Sequence, residues 1–133
     1  MVSRELPAHV VYESEGALAF LDVNSSAPGH TLLVPRAHVS RIEDLSDSDA
    51  AAIFEALHRV VGPVQEAVGA SASTIGVNKG AESGQEVLHV HIHVIPRRKG
   101  DGGGIIQGIS KSPGGRGDFG VIAESIRQRI SSG

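Results

Sequence analysis

Val87-Leu88-His89-Val90-His91-Ile92-His93-Val94-Ile95-Pro96 is the stretch from which the rest of the chain can be read. Leu88, Val90, Ile92 and Val94 fall on one parity, and His89, His91 and His93 on the other. Strand side chains alternate faces, so a strand here has one wholly apolar face and one imidazole face. A helix would scatter the same residues around its circumference. Pro96 has no N–H to give to a ladder, which places the strand end there. Neighbours on one strand face stand roughly 6–7 Å apart, so three imidazoles in a row can act on one small ligand. Histidine titrates near neutrality and serves as nucleophile, acid, base or metal ligand.

The totals bound what surrounds this strand. A chain of 133 residues suffices for one compact domain. Apolar residues make up 40%, but with no Trp, one Tyr and three Phe the core must be aliphatic. The formal charge of −3 and the lack of a Lys/Arg block argue against sequence-independent nucleic-acid binding. Without cysteine there is no disulfide and no thiolate metal site, which fits a reducing compartment. No stretch approaches 18 apolar residues, so the expectation is a cytoplasmic protein with no membrane partner.

Residues 1–8 read as an irregular lead-in. Val10 to Tyr12 and Ala17 to Val23 read as a hairpin, and Asn24 to Gly29 as a turn cluster. Asp22 stands at the end of the second strand, either as a terminator or as an acceptor for sugar hydroxyls. His30 to Pro35 reads as a third strand, with His30 before it and His38 beyond it. Ser46 and Asp49 resemble a capping box opening a helix. Its stripe is Ile53, Leu57, Val60, Val64 and Val68, its C-cap Gly69, and Pro63 predicts a kink or a split. Ser73 to Asn78 reads as a fourth strand, followed by a loop to Glu86 whose glycines allow close backbone approach to a ligand. Gly100 to Gly117 is glycine-rich and irregular. Asp118 caps a final helix over about 118–131, with Ile122, Ile126 and Ile130 as its inner stripe.

Two chemistries suit the histidines. In covalent phosphoryl transfer, His91, flanked by imidazoles, is the best nucleophile, its other nitrogen donating to a backbone carbonyl. His89 and His93 then orient it and donate to phosphoryl oxygens. In a metal site, His-x-His chelates an ion that activates water. Spacing alone leaves both open.

His89-Val90-His91-Ile92-His93-Val94-Ile95 resembles the signature of the histidine triad (HIT) superfamily. Pro7 to Glu13, Ala19 to Val23, Ala27 to His38, Asn78-Lys79-Gly80 and Ser83-Gly84-Gln85-x-Val87 resemble its other motifs, so the likeness covers roughly residues 7–100. It implies an α+β domain: an antiparallel sheet of about five strands, one long helix and a C-terminal helix, with two copies joining their sheets in a homodimer. One domain then spans 1–133. The substrate class implied is a purine nucleotide conjugate, cleaved at the α-phosphorus through a nucleotidylated His91 with no cofactor. His89 and His93 match orienting and phosphate-contacting partners. Asp22 matches the ribose-binding acid, with Phe20 and Val23 near base or ribose. Asn78 matches a residue on the leaving-group side, Gly84, Gln85 and Val87 the phosphate-side loop, and His30 a supporting histidine.

The N-terminal half and Asn78 look most like the histidine triad nucleotide-binding (phosphoramidase) branch. His93 to Arg97 also resembles the fragile histidine triad branch, which cleaves dinucleoside polyphosphates; a low-turnover nucleotide-binding or scaffolding protein is the third reading. Many bacterial relatives hold zinc with a Cys-x-x-Cys pair and two histidines like His38 and His89. Here the cysteines are missing and those histidines are remnants, so no metal is expected. Glu86 stands where relatives commonly carry a small hydroxyl residue.

Overall fold

The computed structural model describes residues 9–25, 27–85, 89–105 and 118–132, the last two without their side chains. The lead-in over 1–8, Glu86, Val87, Leu88 and residues 106–117 of the glycine-rich stretch lie outside the described residues. The chain divides into two compact units, Met1–Gly103 and Gly104–Gly133.

In the first unit five strands form one sheet: β1 (Val10–Glu13), β2 (Ala17–Leu21), β3 (Thr31–Pro35), β4 (Ala72–Gly76) and β5 (Ile92–Arg97). Their order is β1-β2-β3-β5-β4, and every pairing is antiparallel. The β1–β2 hairpin turns where predicted, with an irregularity between Val10 and Tyr12. The helix α1 (Asp47–Ala67) covers one face. Ser46 opens it by accepting the Asp49 N–H at 3.1 Å, as the sequence signals.

The pattern of α1 explains its seat. Ile53, Ala56, Val60 and Val64 are buried, and they pack with Ala17, Ala19, Leu33, Ile92 and Val94 from the facing sheet. Each large aliphatic side chain buried there contributes about 1.5–3 kcal/mol. The helix is continuous through Pro63 and is not split. Gly62 and Pro63 lie on its exposed side, where water can satisfy the carbonyl that loses its partner.

The opposite sheet face carries Leu18, Phe20 and Val34, with Leu32 beside them. Phe20 pairs with Leu32 and Leu32 with His93, so these three lie in one transverse row on that face. Here the structure corrects the reading of the histidine stretch. β5 begins only at Ile92 and includes Pro96, so His89 and His91 precede the strand. Pro96 is tolerated because β3 ends at the level of Val94, and one side of β5 is already without a neighbour there.

The second unit contains α2 (Phe119–Ser132), one residue off the predicted helix at each end. Asp118 caps it, its Oδ1 accepting the Val121 N–H at 3.2 Å. Ile122, Ile126 and Ile130 were predicted as an inner stripe; they are 47%, 53% and 73% exposed and bury no core.

Candidate functional site

The three triad imidazoles divide between two clusters instead of forming one row. His91 and His93 belong to the first, with ring centroids 5.0 Å apart and nearly perpendicular. His91 Nδ1 lies 2.8 Å from the main-chain oxygen of His89. That oxygen can only accept, so Nδ1 donates, and in the neutral ring the lone pair is on Nε2. His93, on the same face as Phe20, places its Nδ1 2.9 Å from His30 Nε2. His30 Nδ1 in turn stands 2.7 Å from Ser25 Oγ and 3.8 Å from Asp22 Oδ2. Ser25 Oγ also accepts the Ala27 N–H at 3.1 Å.

Burial pushes His93 below the ordinary histidine range, and the neighbouring imidazoles of His91 and His30 push the same way; Asp22 only partly offsets them. His30 is lowered by burial too, against the pull of Asp22. Both shifts favour the neutral form of the ring.

The second cluster is structural in character. His89 is only 2% exposed, its Nε2 3.2 Å from the Pro35 carbonyl and its ring edge-on to His38 at 5.1 Å. Among the described residues its buried Nδ1 has no partner. The buried side chain contacts Pro35 and His38, apart from the His91 and His93 rings; what His89 gives that cluster is its carbonyl. Burial also lowers its pKa. The orphan nitrogen marks where a zinc ligand would point. Among the described residues His38 is the histidine whose ring meets that of His89, and no group of three or more His, Cys, Asp and Glu there could hold a metal ion; the chain has no cysteine. The donor set does not fit a tetrahedral structural zinc.

Asp22 follows β2 in a turn, Oδ1 accepting the Asn24 N–H at 3.0 Å and Oδ2 directed toward His30. Phe20, on the sheet face that carries His93, is 3% exposed, and Val23 is 60% exposed. Asn78 is exposed beyond β4, with its amide 3.8 Å from where a Cβ on Gly84 would sit. Gln85 clamps the loop: Oε1 accepts the Gly80 N–H at 2.7 Å and Nε2 donates to the Ser40 carbonyl at 3.0 Å. It shapes the loop from behind. Val87 lies outside the described residues.

A cleft of about 340 Å³ opens on the His93 face, walled by Ala27, Pro28, Ile95, Arg97 and Asp101 among others. None of the triad histidines lines it. Arg97 grips Asp101 through two bonds of 2.8 and 3.0 Å and donates to Thr74 Oγ1 at 2.9 Å. The guanidinium, with backbone N–H groups of Arg98 and Gly103, holds the Asp101 carboxyl far below the usual carboxylate range. Neither this hub nor Ser25 was singled out from sequence. The signal for Ser25 was present: a hydroxyl five residues before a histidine, across a turn.

Among the described residues no helix is long and apolar enough to cross a membrane. Residues 3–100 match the HIT domain family model. An uncharacterised HIT-like protein of Methanocaldococcus jannaschii is 42% identical over 102 residues, 77% of this chain and 78% of the relative. The asymmetrical bis(5'-nucleosyl)-tetraphosphatase of Schizosaccharomyces pombe is 37% identical over 94 residues, 71% of this chain and 52% of that longer protein. Among solved structures, a member of the HIT family from Bacillus subtilis is 32% identical and superposes with a TM-score of 0.79, covering 95% of this chain and 90% of its own. With its fold, its motifs and these relatives in agreement, the chain belongs to the HIT (histidine triad) family.

Proposed function

We propose that this protein hydrolyses a nucleotide conjugate at its α-phosphorus, with His91 as the nucleophile. The observation that carries the reading is the 2.8 Å contact between His91 Nδ1 and the His89 carbonyl, which in the neutral ring leaves the lone pair on Nε2. Nε2 attacks phosphorus, and the leaving group departs with the bonding electron pair and takes up one proton from solvent. Water then attacks the nucleotidylated imidazole, the N–P bond breaks toward His91, and that proton is returned with release of nucleoside monophosphate. His93 faces the phosphoryl oxygens, where charge concentrates. Asp22, with Val23 at the rim, takes the ribose, and Phe20 floors the base site. Asn78 and the Gly84 loop lie toward the leaving group.

The preferred substrate in this reading is a nucleoside 5'-phosphoramidate. Mass spectrometry of protein mixed with an adenosine phosphoramidate should show an adenylate adduct on His91. Turnover should continue in EDTA. Absence of any adduct, or turnover by His91→Ala, would overturn the mechanism. A second reading, a dinucleoside polyphosphate as substrate, is favoured by the relative from S. pombe, a tetraphosphatase by name. The ratio of kcat/KM for diadenosine tetraphosphate and the phosphoramidate decides between them. A homodimer with a continued sheet belongs to the same proposal. β4 is an outer strand of the sheet, and sedimentation of the purified chain tests it.

A further inference from the structure

We infer that Ser25 is a positioning residue: its hydroxyl, by donating to His30 Nδ1, fixes His93 as a hydrogen-bond donor toward the phosphate. This rests on the phosphoryl-transfer reading for its consequence, but not for its geometry. Ser25, His30 and His93 form one chain of bonds of 2.7 and 2.9 Å. In the neutral forms of the two rings, that chain can be filled in two ways. In one, Ser25 donates to His30 Nδ1, His30 Nε2–H donates to His93 Nδ1, and His93 carries its proton on Nε2. In the other every donor is reversed, and His93 Nε2 presents a lone pair.

Two observations select the first. Ser25 Oγ already accepts the Ala27 N–H, and among the described residues its own proton has no acceptor other than His30 Nδ1. The 2.7 Å separation also suits an O–H donor, whereas N–H donors to oxygen centre nearer 2.9–3.0 Å. Asp22 pulls the other way, drawing a proton toward His30 Nδ1, but at 3.8 Å it is outside hydrogen-bond reach. The remaining titratable neighbour, His91, faces His93 and not His30. A lone pair aimed at phosphoryl oxygens repels them; an N–H stabilises the charge that grows there. Ser25 thus sets the sign of that contact from two residues away.

Imidazole ¹⁵N spectra of the ligand-free full chain at pH 7.5 test the assignment without any substrate. Wild type should show His93 protonated at Nε2. Ser25→Ala should shift protonation to Nδ1, because Asp22 then meets no competitor at His30. Ser25→Thr, which keeps a hydroxyl, should restore the wild-type pattern. On the phosphoramidate, Ser25→Ala should lower kcat about tenfold or more, with KM changed less than about threefold, since one misdirected donor acts mainly in the transition state. His93 unprotonated at Nε2 in wild type, or unmoved in a folded Ser25→Ala, overturns the inference. A tautomer that shifts as stated in a protein with no turnover upholds it and points instead to failure of the functional reading.

Discussion

His91 is oriented by its own backbone: its Nδ1 meets the carbonyl oxygen of His89, two residues earlier, at 2.8 Å. No side chain is needed to choose the tautomer of the proposed nucleophile. His91→Ala should therefore lose at least about a thousandfold in kcat/KM, the scale seen when an attacking side chain is removed. The variant should still fold, because His91 is only partly buried and anchors no cluster.

His89 should behave in the opposite way. Its carbonyl survives any substitution, and its ring is buried against Pro35 and His38. His89→Ala should leave kcat within about tenfold of wild type while lowering stability by about 1–3 kcal/mol, since it opens a cavity and frees the Pro35 carbonyl. Urea unfolding and steady-state kinetics on the same sample check both halves.

Acid should unfold the protein through three histidines. His30, His89 and His93 are all lowered in the fold, chiefly by burial. As pH falls through the ordinary histidine value near 6.5, the unfolded chain binds protons that the folded chain still refuses. Stability is therefore full above that range and declines below it, until the folded rings also protonate. Thermal midpoints measured between pH 8 and pH 5 should fall with acid. A flat profile would contradict the burial of these rings.

Gly29 is held at φ +83°, and a Cβ there would stand 2.9 Å from Val68 Cγ1 and 3.2 Å from Pro96 Cγ. Gly29→Ala must both strain the backbone and displace the end of α1, at roughly 2–4 kcal/mol. Because His30 follows directly, activity should fall along with the thermal midpoint.

Gly103 packs its backbone on the Arg97 guanidinium: an added Cβ would lie 2.5 Å from Nη2. Arg97 cannot retreat without releasing Asp101 and Thr74. Gly103→Ala and Asp101→Asn should each lower the melting temperature by roughly 2–4 °C, and the double variant by no more than the worse single. Additive losses would show that they act separately.

The sheet and α1 were legible because local signals agree with the packing. Ser46 caps, Ile53 to Val64 make one stripe, and the hairpin and Thr31–Pro35 alternate or cluster as strands do. The His89 side chain was misread because a period of two describes a strand only where a partner continues. The two ladders on β5 stop at the pairs Leu33–Ile92 and Gly76–His93, so His89 lies outside the sheet and its ring turns inward to Pro35. Pattern also could not show Ser25 meeting His30, a contact made by the closure of one turn, nor the reach of Gln85 to Ser40, 45 positions away. The isoleucines of α2 have helical spacing, but spacing does not say what covers them.

The Gln85 carboxamide imitates a peptide unit: it accepts from one main-chain N–H and donates to one main-chain carbonyl, bridging Gly80 to Ser40. That bridge lies outside the ladder that holds the sheet, alongside the turn's own bonds from the Ser83, Gly84 and Gln85 N–H groups. An engineer could exchange residues 81–84 for another sequence, keep Gln85 in place, and leave the scaffold beneath undisturbed.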